Sequence, residues 1–354
     1  MTITRRVWEG SGCRSGFPGE FEVPAGYLNT ASIGIPPSHA ADAVAGAVDR
    51  WRRGADQPAD FEAAVSASRQ GFADLIGVPA ERIAVGASVS QLLSVVAAGL
   101  ADGAKVLVAG GEFTSVTFPF TTQAPRGVTV TETGLDELCA AVPGHDLVAV
   151  SVVQSATGAT VDLAALRAAV EAAGATVVLD VTQAAGRLPL ALEWADWVVG
   201  AGYKWLLSPR GAAWLAVHPR VVDGGVPVAA GWYAGEEPWQ TLYGLPPRLA
   251  EGPRRFDLSP VWLAHVGAAA ALPYLASLDL AAVRDHCVEL ADTLLTGLGL
   301  PEQGSAIVAL DADTDAIAAA GVVASARAGR ARFSFHLYNT MDDVERALAA
   351  LAAR

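Results

Sequence analysis

Lys204 is the residue whose type and position most suggest chemistry. Lys105 and Lys204 are the only lysines in the 354-residue chain, whereas arginines are plentiful. Lys204 lies in the nearly uncharged run WVVGAGYKWLLSPRGAAWLAV. An amine can form a Schiff base, which a guanidinium cannot, and burial lowers the pKa of an amine toward the nucleophilic range. The alternative is a lysine that extends from the edge of the core to water, a description that fits Lys105 better.

A carboxylate and an amide precede this lysine in the segment VVLDVTQAAG. Asp180 ends an apolar run, and Gln183 follows three residues later. A carboxylate at the carboxyl end of a parallel strand points into the crevice where α/β sheets bind ligands. There it can pair with a protonated ring nitrogen of a cofactor. Capping of a following helix is the alternative for Asp180.

These residues require a parallel sheet to bring them together, and the pattern from residue 83 onward predicts one. Short β-rich runs alternate there with longer Ala-rich amphipathic runs, as in sheets with crossover helices. The predicted strands are 83–86, 105–109, 127–131, 147–153, 175–180, 196–200 and 212–217, with helices at 88–100, 134–142 and 162–173. Asp162 and Gly174 are good start and stop signals for the third helix.

The remainder of the chain predicts a second, smaller domain. Residues 222–260 are irregular and rich in Gly, Pro and Trp, which is typical of an ordered loop. Beyond them, helices at 261–276, 279–298, 313–320 and 340–353 alternate with strands near 306–310 and 331–336. We therefore expect an N-terminal arm (1–25) that packs with the small domain, a large α/β domain (26–260) and a small α+β domain (261–354).

Composition excludes several classes of function. A net charge of −13 without a basic stripe argues against nucleic-acid binding. Three scattered cysteines, with no CxxC pair, predict neither a disulfide framework nor a zinc site, so no metal is expected. No apolar run approaches the length of a membrane span. A soluble protein of the cytoplasm is the expectation.

The segment LDVTQAAG followed by GAGYKWLLSPRG resembles the signature of class V aminotransferases. These are pyridoxal 5′-phosphate (PLP) enzymes of fold type I, and the group includes cysteine desulfurases. The resemblance implies that Lys204 is the catalytic residue that binds PLP covalently, that Asp180 pairs with the ring nitrogen and that Gln183 also contacts the cofactor. It further implies a homodimer, with PLP at the subunit boundary.

Other segments extend the resemblance over most of the chain. It implies cofactor contacts from Ala87, Ser88 and Val89 (VGASVSQLL), Phe113 (GGEFTSVTFPF), Ser155 (SVVQSATG), Tyr203 (beside the lysine) and Ser259 (RFDLSP), and substrate contacts from Asn29 and Ala31 (YLNTASIGIPP) and Arg332 (GRARFSFHLYNTMDDVERAL). Free N–H groups at a helix start suit a phosphate, and the fork of an arginine suits a carboxylate. A plain helix cap at Ser88 and a solvated edge-strand arginine at 332 are the alternatives.

Departures from the family pattern narrow the choice among the reactions that the family catalyses. Phe113 stands where the family often has His, so the ring can stack on the cofactor but cannot exchange protons. Tyr203 before the lysine resembles the kynureninase branch, and other features resemble isopenicillin N epimerases. Desulfurases carry a nucleophilic cysteine shortly before the carboxylate-binding arginine, whereas GVVASARAGRARFS has none. Desulfurase activity is therefore disfavoured.

β-Elimination from an amino acid or a cysteine conjugate, as in a C–S lyase, is the favoured reaction, because Lys204 alone can remove and return the α-proton. Transamination, epimerisation and kynureninase-like hydrolysis stay open. From a different class, a non-catalytic PLP-binding regulator also stays open, although the sequence shows no DNA-binding appendage. A nicotinamide dehydrogenase is disfavoured because no GxGxxG follows the first strands.

Overall fold

The computed structural model describes residues 20–352. Seven strands form the main sheet: β1 (Ile83–Gly86), β2 (Lys105–Ala109), β3 (Thr129–Thr133), β4 (Leu147–Ser151), β5 (Thr176–Asp180), β6 (Trp197–Ala201) and β7 (Ala213–Val217). Their order is β1-β7-β6-β5-β4-β2-β3. Strand β7 runs antiparallel to both neighbours, and the other pairings are parallel. The expected mainly parallel seven-stranded sheet is confirmed.

Most strands of this sheet are buried on both faces, whereas the edge strand β3 is largely exposed. All residues of β4, β6 and β7 are buried. Alternate side chains enter two different core clusters, so Val148 and Val150 pack on one side of the sheet and Leu147 and Ala149 on the other. Continuous apolar runs of this kind are what a sheet covered by helices on both faces requires.

Between residues 20 and 175 the structure has six α-helices: α1 (Ser38–Arg52), α2 (Glu62–Ile76), α3 (Val89–Gly99), α4 (Thr114–Thr121), α5 (Leu138–Ala141) and α6 (Leu163–Ala173). The predicted limits of α6 are confirmed. Asp162 accepts hydrogen bonds from the N–H groups of Ala164 and Ala165, and Gly174 ends the helix in the left-handed region. The strand predicted at 127–131 begins two residues later, at Thr129, because Gly127 belongs to a turn and has a φ of +78°.

The helix expected at 134–142 is reduced to the single turn α5, since residues 135–137 form a turn. Three helices have no counterpart in the sequence prediction, namely α1, α2 and α4. Helix α4 contains Pro119 together with β-branched and aromatic residues, all of which are weak helix formers. Burial of Val116 and Phe120 in the core accounts for its formation.

The C-terminal part carries four helices, α7 (Trp262–Ala276), α8 (Leu280–Gly297), α9 (Thr314–Ala319) and α10 (Met341–Ala352). It also carries an antiparallel sheet of β8 (Ile307–Leu310), β9 (Ser325–Arg327) and β10 (Arg330–Ser334), in the order β8-β10-β9. The strand predicted at 331–336 therefore ends two residues earlier. Within residues 20–352, no helix combines the length and hydropathy needed to cross a membrane.

The segment that begins at residue 26 links this smaller sheet to the main one. The N–H of Leu28 donates to the carbonyl of Val323 at 2.9 Å, and the N–H of Ser334 donates to the carbonyl of Leu28 at 2.8 Å. Farther along, the N–H of Gly34 donates to the carbonyl of Tyr203 at 2.9 Å. Most of the predicted N-terminal arm, residues 1–25, lies outside the described residues.

Candidate active site

Lys204 lies in the loop between β6 and β7, at the carboxyl edge of the parallel strands. Its side chain is 7% exposed. The backbone at Lys204 packs closely against Gly34. A Cβ atom at position 34 would lie 2.0 Å from the carbonyl oxygen of Lys204, so this approach requires glycine. Burial lowers the pKa of Lys204 to about 8, helped by the positive charges of Arg332, Arg327 and Arg210 and opposed by Asp180. A lowered pKa makes the uncharged amine, which a nucleophile or base requires, more available near neutral pH than in an ordinary lysine.

Asp180 ends the neighbouring strand β5 and is buried. Burial raises the pKa of Asp180, whereas hydrogen bonds from Thr182 and the charge of Lys204 lower it. One of these bonds runs from the N–H of Thr182 to Oδ1 at 2.8 Å. A buried carboxyl group therefore lies near a buried amine, in the position that α/β sheets use to bind ligands.

Two aromatic rings border the amine of Lys204. Its Nζ lies 5.5 Å from the ring centroid of Phe113 and 5.6 Å from that of Tyr203. Phe113 is 46% exposed, so the ring is available to a planar ligand. The guanidinium of Arg210 lies 5.3 Å from the centroid of the Tyr203 ring. The contacts of Phe113 and Tyr203 with the cofactor stay predictions, and both rings lie close enough to Lys204 to make them.

Helix α3 begins at the same edge of the sheet, after β1. Ser88 is its N-cap and accepts a hydrogen bond from the N–H of Gln91 at 3.3 Å. The N–H of Ala87 donates to Oε1 of Gln91 at 3.2 Å. The capping alternative for Ser88 is thus present. The N–H groups of Val89 and Ser90, in the first turn, have no carbonyl four residues back in the helix, and such groups bind phosphates.

Gln183 is engaged with the protein at both ends of its amide. Nε2 donates to the carbonyl of Ala31 at 3.1 Å, and Oε1 accepts from Nε1 of Trp205 at 2.6 Å. The side chain therefore joins the N-terminal segment to the residue that follows Lys204. Its contact with PLP stays a prediction.

Arg332 lies on β10 and is buried, with three neutral acceptors around its guanidinium. Nε donates to Oγ of Ser325 at 3.2 Å, Nη2 to Oγ of Ser32 at 2.7 Å, and Nη1 to the carbonyl of Ser155. Burial, with the nearby charge of Arg327, lowers the pKa of Arg332 to about 10. Among the described residues, no carboxylate forms a salt bridge with it. A buried, oriented and unpaired guanidinium is suited to a substrate carboxylate.

The remaining predicted site residues occupy different surroundings. Ser155 offers its backbone carbonyl to Arg332. Ala31 is buried, and its N–H donates to Oγ of Ser334 at 2.9 Å. Oδ1 of Asn29 is buried and has no hydrogen-bond partner among the described residues. Ser259 is exposed, and its hydroxyl accepts from Nε1 of Trp232 at 3.3 Å, so its expected phosphate contact stays a prediction.

Three residues near the site were missed by the sequence analysis: Glu112, Ser32 and Arg327. The carboxylate of Glu112 accepts from the N–H of Ser151 at 2.8 Å and from its hydroxyl. Burial raises the pKa of Glu112 to about 7, and Asp180 adds to the shift. The Glu in GGEF was the available signal. No sequence signal pointed to Ser32 and Arg327, because the hydrogen bond between them joins residues that are 295 positions apart in the chain.

The two cysteines in the described part of the chain are poor nucleophiles. Cys287 is fully buried in helix α8, and burial raises the pKa of its thiol to about 12. Burial also raises the pKa of Cys139. Cys13 lies outside the described residues. The segment before Arg332 forms the β9–β10 hairpin, which contains no thiol.

This set of groups fits PLP. The amine of Lys204 suits the aldehyde of PLP, and the buried carboxylate of Asp180 suits its ring nitrogen. The ring of Phe113 suits the face of the PLP ring, and the first turn of α3 suits the phosphate. The unpartnered Oδ1 of Asn29 adds a free acceptor from the segment that also carries Ala31.

Comparison with known proteins agrees with this fit. The model of the family described as aminotransferase class-V matches residues 42–324. The kynureninase of Deinococcus radiodurans is 28% identical and aligns with 94% of this chain and 91% of its own length.

Solved structures share the fold. The apo cysteine desulfurase of Thermococcus onnurineus NA1 superposes with a TM-score of 0.81 at 22% identity, covering 92% of this chain and 93% of that one. The complex of the cystine C–S lyase C-DES with its product, cysteine persulfide, gives 0.83 at 21% identity, covering 95% and 99%. These similarities confirm the expected fold type I. Because the family model spans most of the chain, this protein belongs to the class-V aminotransferases and is a PLP-dependent enzyme.

Proposed function

We propose that the protein catalyses β-elimination from an α-amino acid or a cysteine conjugate, as a C–S lyase does. The observation that carries the proposal is that Lys204 lies beside the ring of Phe113, which cannot transfer protons. Elimination needs one base that removes the α-proton and a leaving group on the next carbon. The cystine C–S lyase, whose fold this chain shares, supports the choice.

When bound, PLP supplies an electron-withdrawing ring that stabilises negative charge at the substrate α-carbon. Asp180 would keep the ring nitrogen protonated, because a buried anion favours a proton on its partner. The first turn of α3, with Ala87, Ser88 and Val89, would hold the phosphate, together with Tyr203 and Ser259. Gln183 and Ser155 would border the ring, and Asn29 and Ala31 the substrate.

The remaining steps belong to Lys204 and Arg332. Arg332 binds the substrate carboxylate with its fork and so fixes which bond at the α-carbon stands perpendicular to the ring. The uncharged amine of Lys204 takes the α-proton, and its lowered pKa suits it to that task.

Product analysis tests the reaction directly. We expect pyruvate and ammonium from cysteine conjugates incubated with the PLP-loaded protein. Kynureninase-like hydrolysis is the second candidate, because Tyr203 precedes the lysine and a kynureninase aligns over most of the chain. Anthranilate from kynurenine, or an altered configuration at the α-carbon without pyruvate, would contradict β-elimination.

The pH dependence of cofactor attachment follows from the pKa of Lys204. A pKa lowered to about 8 means that the reactive, uncharged amine is present at a lower pH than in an ordinary lysine. The rate of PLP attachment to cofactor-free protein, followed by absorbance, should rise with pH up to about 8 and then level off. A rate that still rises steeply near the ordinary lysine value of about 10.4 would contradict the assignment.

Replacing Arg332 by Lys should lower kcat/KM by about tenfold or more, although the charge is kept. An ammonium offers a point charge instead of a fork, so the carboxylate loses its fixed orientation. Steady-state kinetics with one cysteine conjugate measures the effect. As a control, the variant with Cys13, Cys139 and Cys287 all replaced by Ala should keep its activity. If the triple-cysteine variant were inactive while the Arg332→Lys variant kept normal activity, the reaction would depend on a thiol instead.

We also propose a cytoplasmic homodimer with the cofactor site at the subunit boundary. Loop 230–260 presents apolar side chains to the surface, including Trp239 (46% exposed) and Tyr243 (91% exposed). Large exposed apolar side chains in one loop are typical of an interface. Sedimentation velocity should show a dimer, and a fully active monomer at low concentration would overturn the proposal.

A further inference from the structure

We propose that Arg327 makes this site specific for α-amino acids whose side chain carries a second carboxylate. The inference rests on the proposed function, because it takes Arg332 as the partner of the α-carboxylate. Arg327 then remains as a second guanidinium beside the first.

The two arginines converge on one neutral hydroxyl. Nη2 of Arg332 donates to Oγ of Ser32 at 2.7 Å, and Nη2 of Arg327 donates to the same oxygen at 3.2 Å. A serine oxygen can accept two hydrogen bonds but carries no charge to offset two cations. In the described chain neither arginine forms a salt bridge with a carboxylate. Both guanidinium groups donate only to neutral acceptors, including the carbonyl of Ala326 for Nη1 of Arg327, so the two positive charges are left for an anion.

The β9–β10 hairpin fixes Arg327 in this position. Arg327 is the last residue of β9, and the two-residue turn that follows has positive φ at both positions, 48° at Ala328 and 76° at Gly329. This is the pattern of the tight turns that join twisted antiparallel strands. Arg330, directly opposite Arg327 in the hairpin, instead lies 3.4 Å from a carboxylate oxygen of Asp311. Within the hairpin, Arg330 thus has a carboxylate nearby, whereas Arg327 and Arg332 have none within ion-pair distance among the described residues.

The balance of charge at the site points to one more anion. The α-carboxylate would pair with Arg332, and the cofactor phosphate would lie near Tyr203, whose ring centroid is 5.3 Å from the guanidinium of Arg210. Arg327 then has no counterion, although the chain as a whole has a net charge of −13. The positive charges of Arg332, Arg327 and Arg210 also contribute to the lowered pKa of Lys204. A carboxylate on the substrate side chain would complete the balance through a charge-assisted bond.

Two cysteine thioethers of nearly the same shape test the inference. S-carboxymethyl-L-cysteine carries a second carboxylate, and S-carbamoylmethyl-L-cysteine carries a neutral amide in its place. Binding is measured by titrating the absorbance of the PLP-loaded protein, which reports an amino acid at the cofactor whichever bond is later broken. The wild-type protein should bind the carboxylate form about tenfold more tightly, as expected for one charge-assisted bond.

Variants assign the preference to Arg327. Arg327→Gln should bind both thioethers equally, because the carboxylate form loses its advantage, and Arg327→Lys should recover part of the preference. Arg330→Gln is the matched control in the same hairpin and should keep the wild-type preference, since the charge of Arg330 is paired with Asp311.

Equal affinities in the wild-type protein would overturn the inference. So would an Arg327→Gln variant that weakens both thioethers to the same extent, because Arg327 would then act on the α-carboxylate or on the fold. Pyruvate release from either thioether in these cases would leave the proposed β-elimination intact. A PLP-loaded protein whose absorbance responds to neither thioether would contradict the proposed function and this inference with it.

Discussion

Replacing Lys204 by Ala should abolish covalent attachment of PLP and lower turnover by about a thousandfold or more. The side chain serves as both the attachment point and the base, and each function alone is worth large factors in rate. Lys204→Arg is the matched control, because it keeps a positive charge but cannot form the covalent link. Turnover of a cysteine conjugate and the absorbance of bound PLP measure both effects. A Lys204→Ala enzyme with more than a few per cent of wild-type turnover would contradict the assignment.

Asp180→Asn should retain PLP but lose about a hundredfold or more in kcat, a typical loss for a preorganised electrostatic contact. The amide has the same shape as the carboxylate and can still accept the hydrogen bond from the N–H of Thr182. It cannot keep the ring nitrogen protonated, however. The substitution therefore removes the charge of Asp180 but keeps its hydrogen bond with the N–H of Thr182.

A capping residue provides the comparison for Asp180→Asn. Asp162 caps helix α6, where Asn caps equally well, so Asp162→Asn should keep wild-type activity. Near-normal turnover of the Asp180→Asn enzyme would show that Asp180 is only a cap or a packing residue.

The main sheet could be predicted from sequence because its strands are continuous apolar runs between turn signals. Asp180 and Lys204 could be placed for the same reason, since each follows the end of such a run. Helix α4 could not, because its β-branched and aromatic residues and Pro119 favour other structures. Only the burial of its side chains against the sheet makes it a helix, and that information lies elsewhere in the chain.

The missed site residues depend on contacts between distant segments. Ser32 and Arg327 each look like ordinary polar residues until the N-terminal segment runs beside the β9–β10 hairpin. The amide of Gln183 likewise meets Ala31 and Trp205 only in the folded chain. Such tertiary contacts produce no local periodicity or motif in the sequence. Sequence patterns therefore predict the site residues at strand ends better than the site residues that distant segments contribute.

The central claim is that Lys204 holds the cofactor, and the two lysines of the chain allow a direct test. The PLP-saturated protein is reduced with borohydride, digested and mapped by mass spectrometry. Lys105 serves as the internal control, because it is exposed at the start of β2 and therefore more open to adventitious modification than the buried Lys204. We predict one reduced pyridoxyl group per chain, on Lys204. Modification of Lys105 alone, or no modification of a saturated protein, would contradict the account.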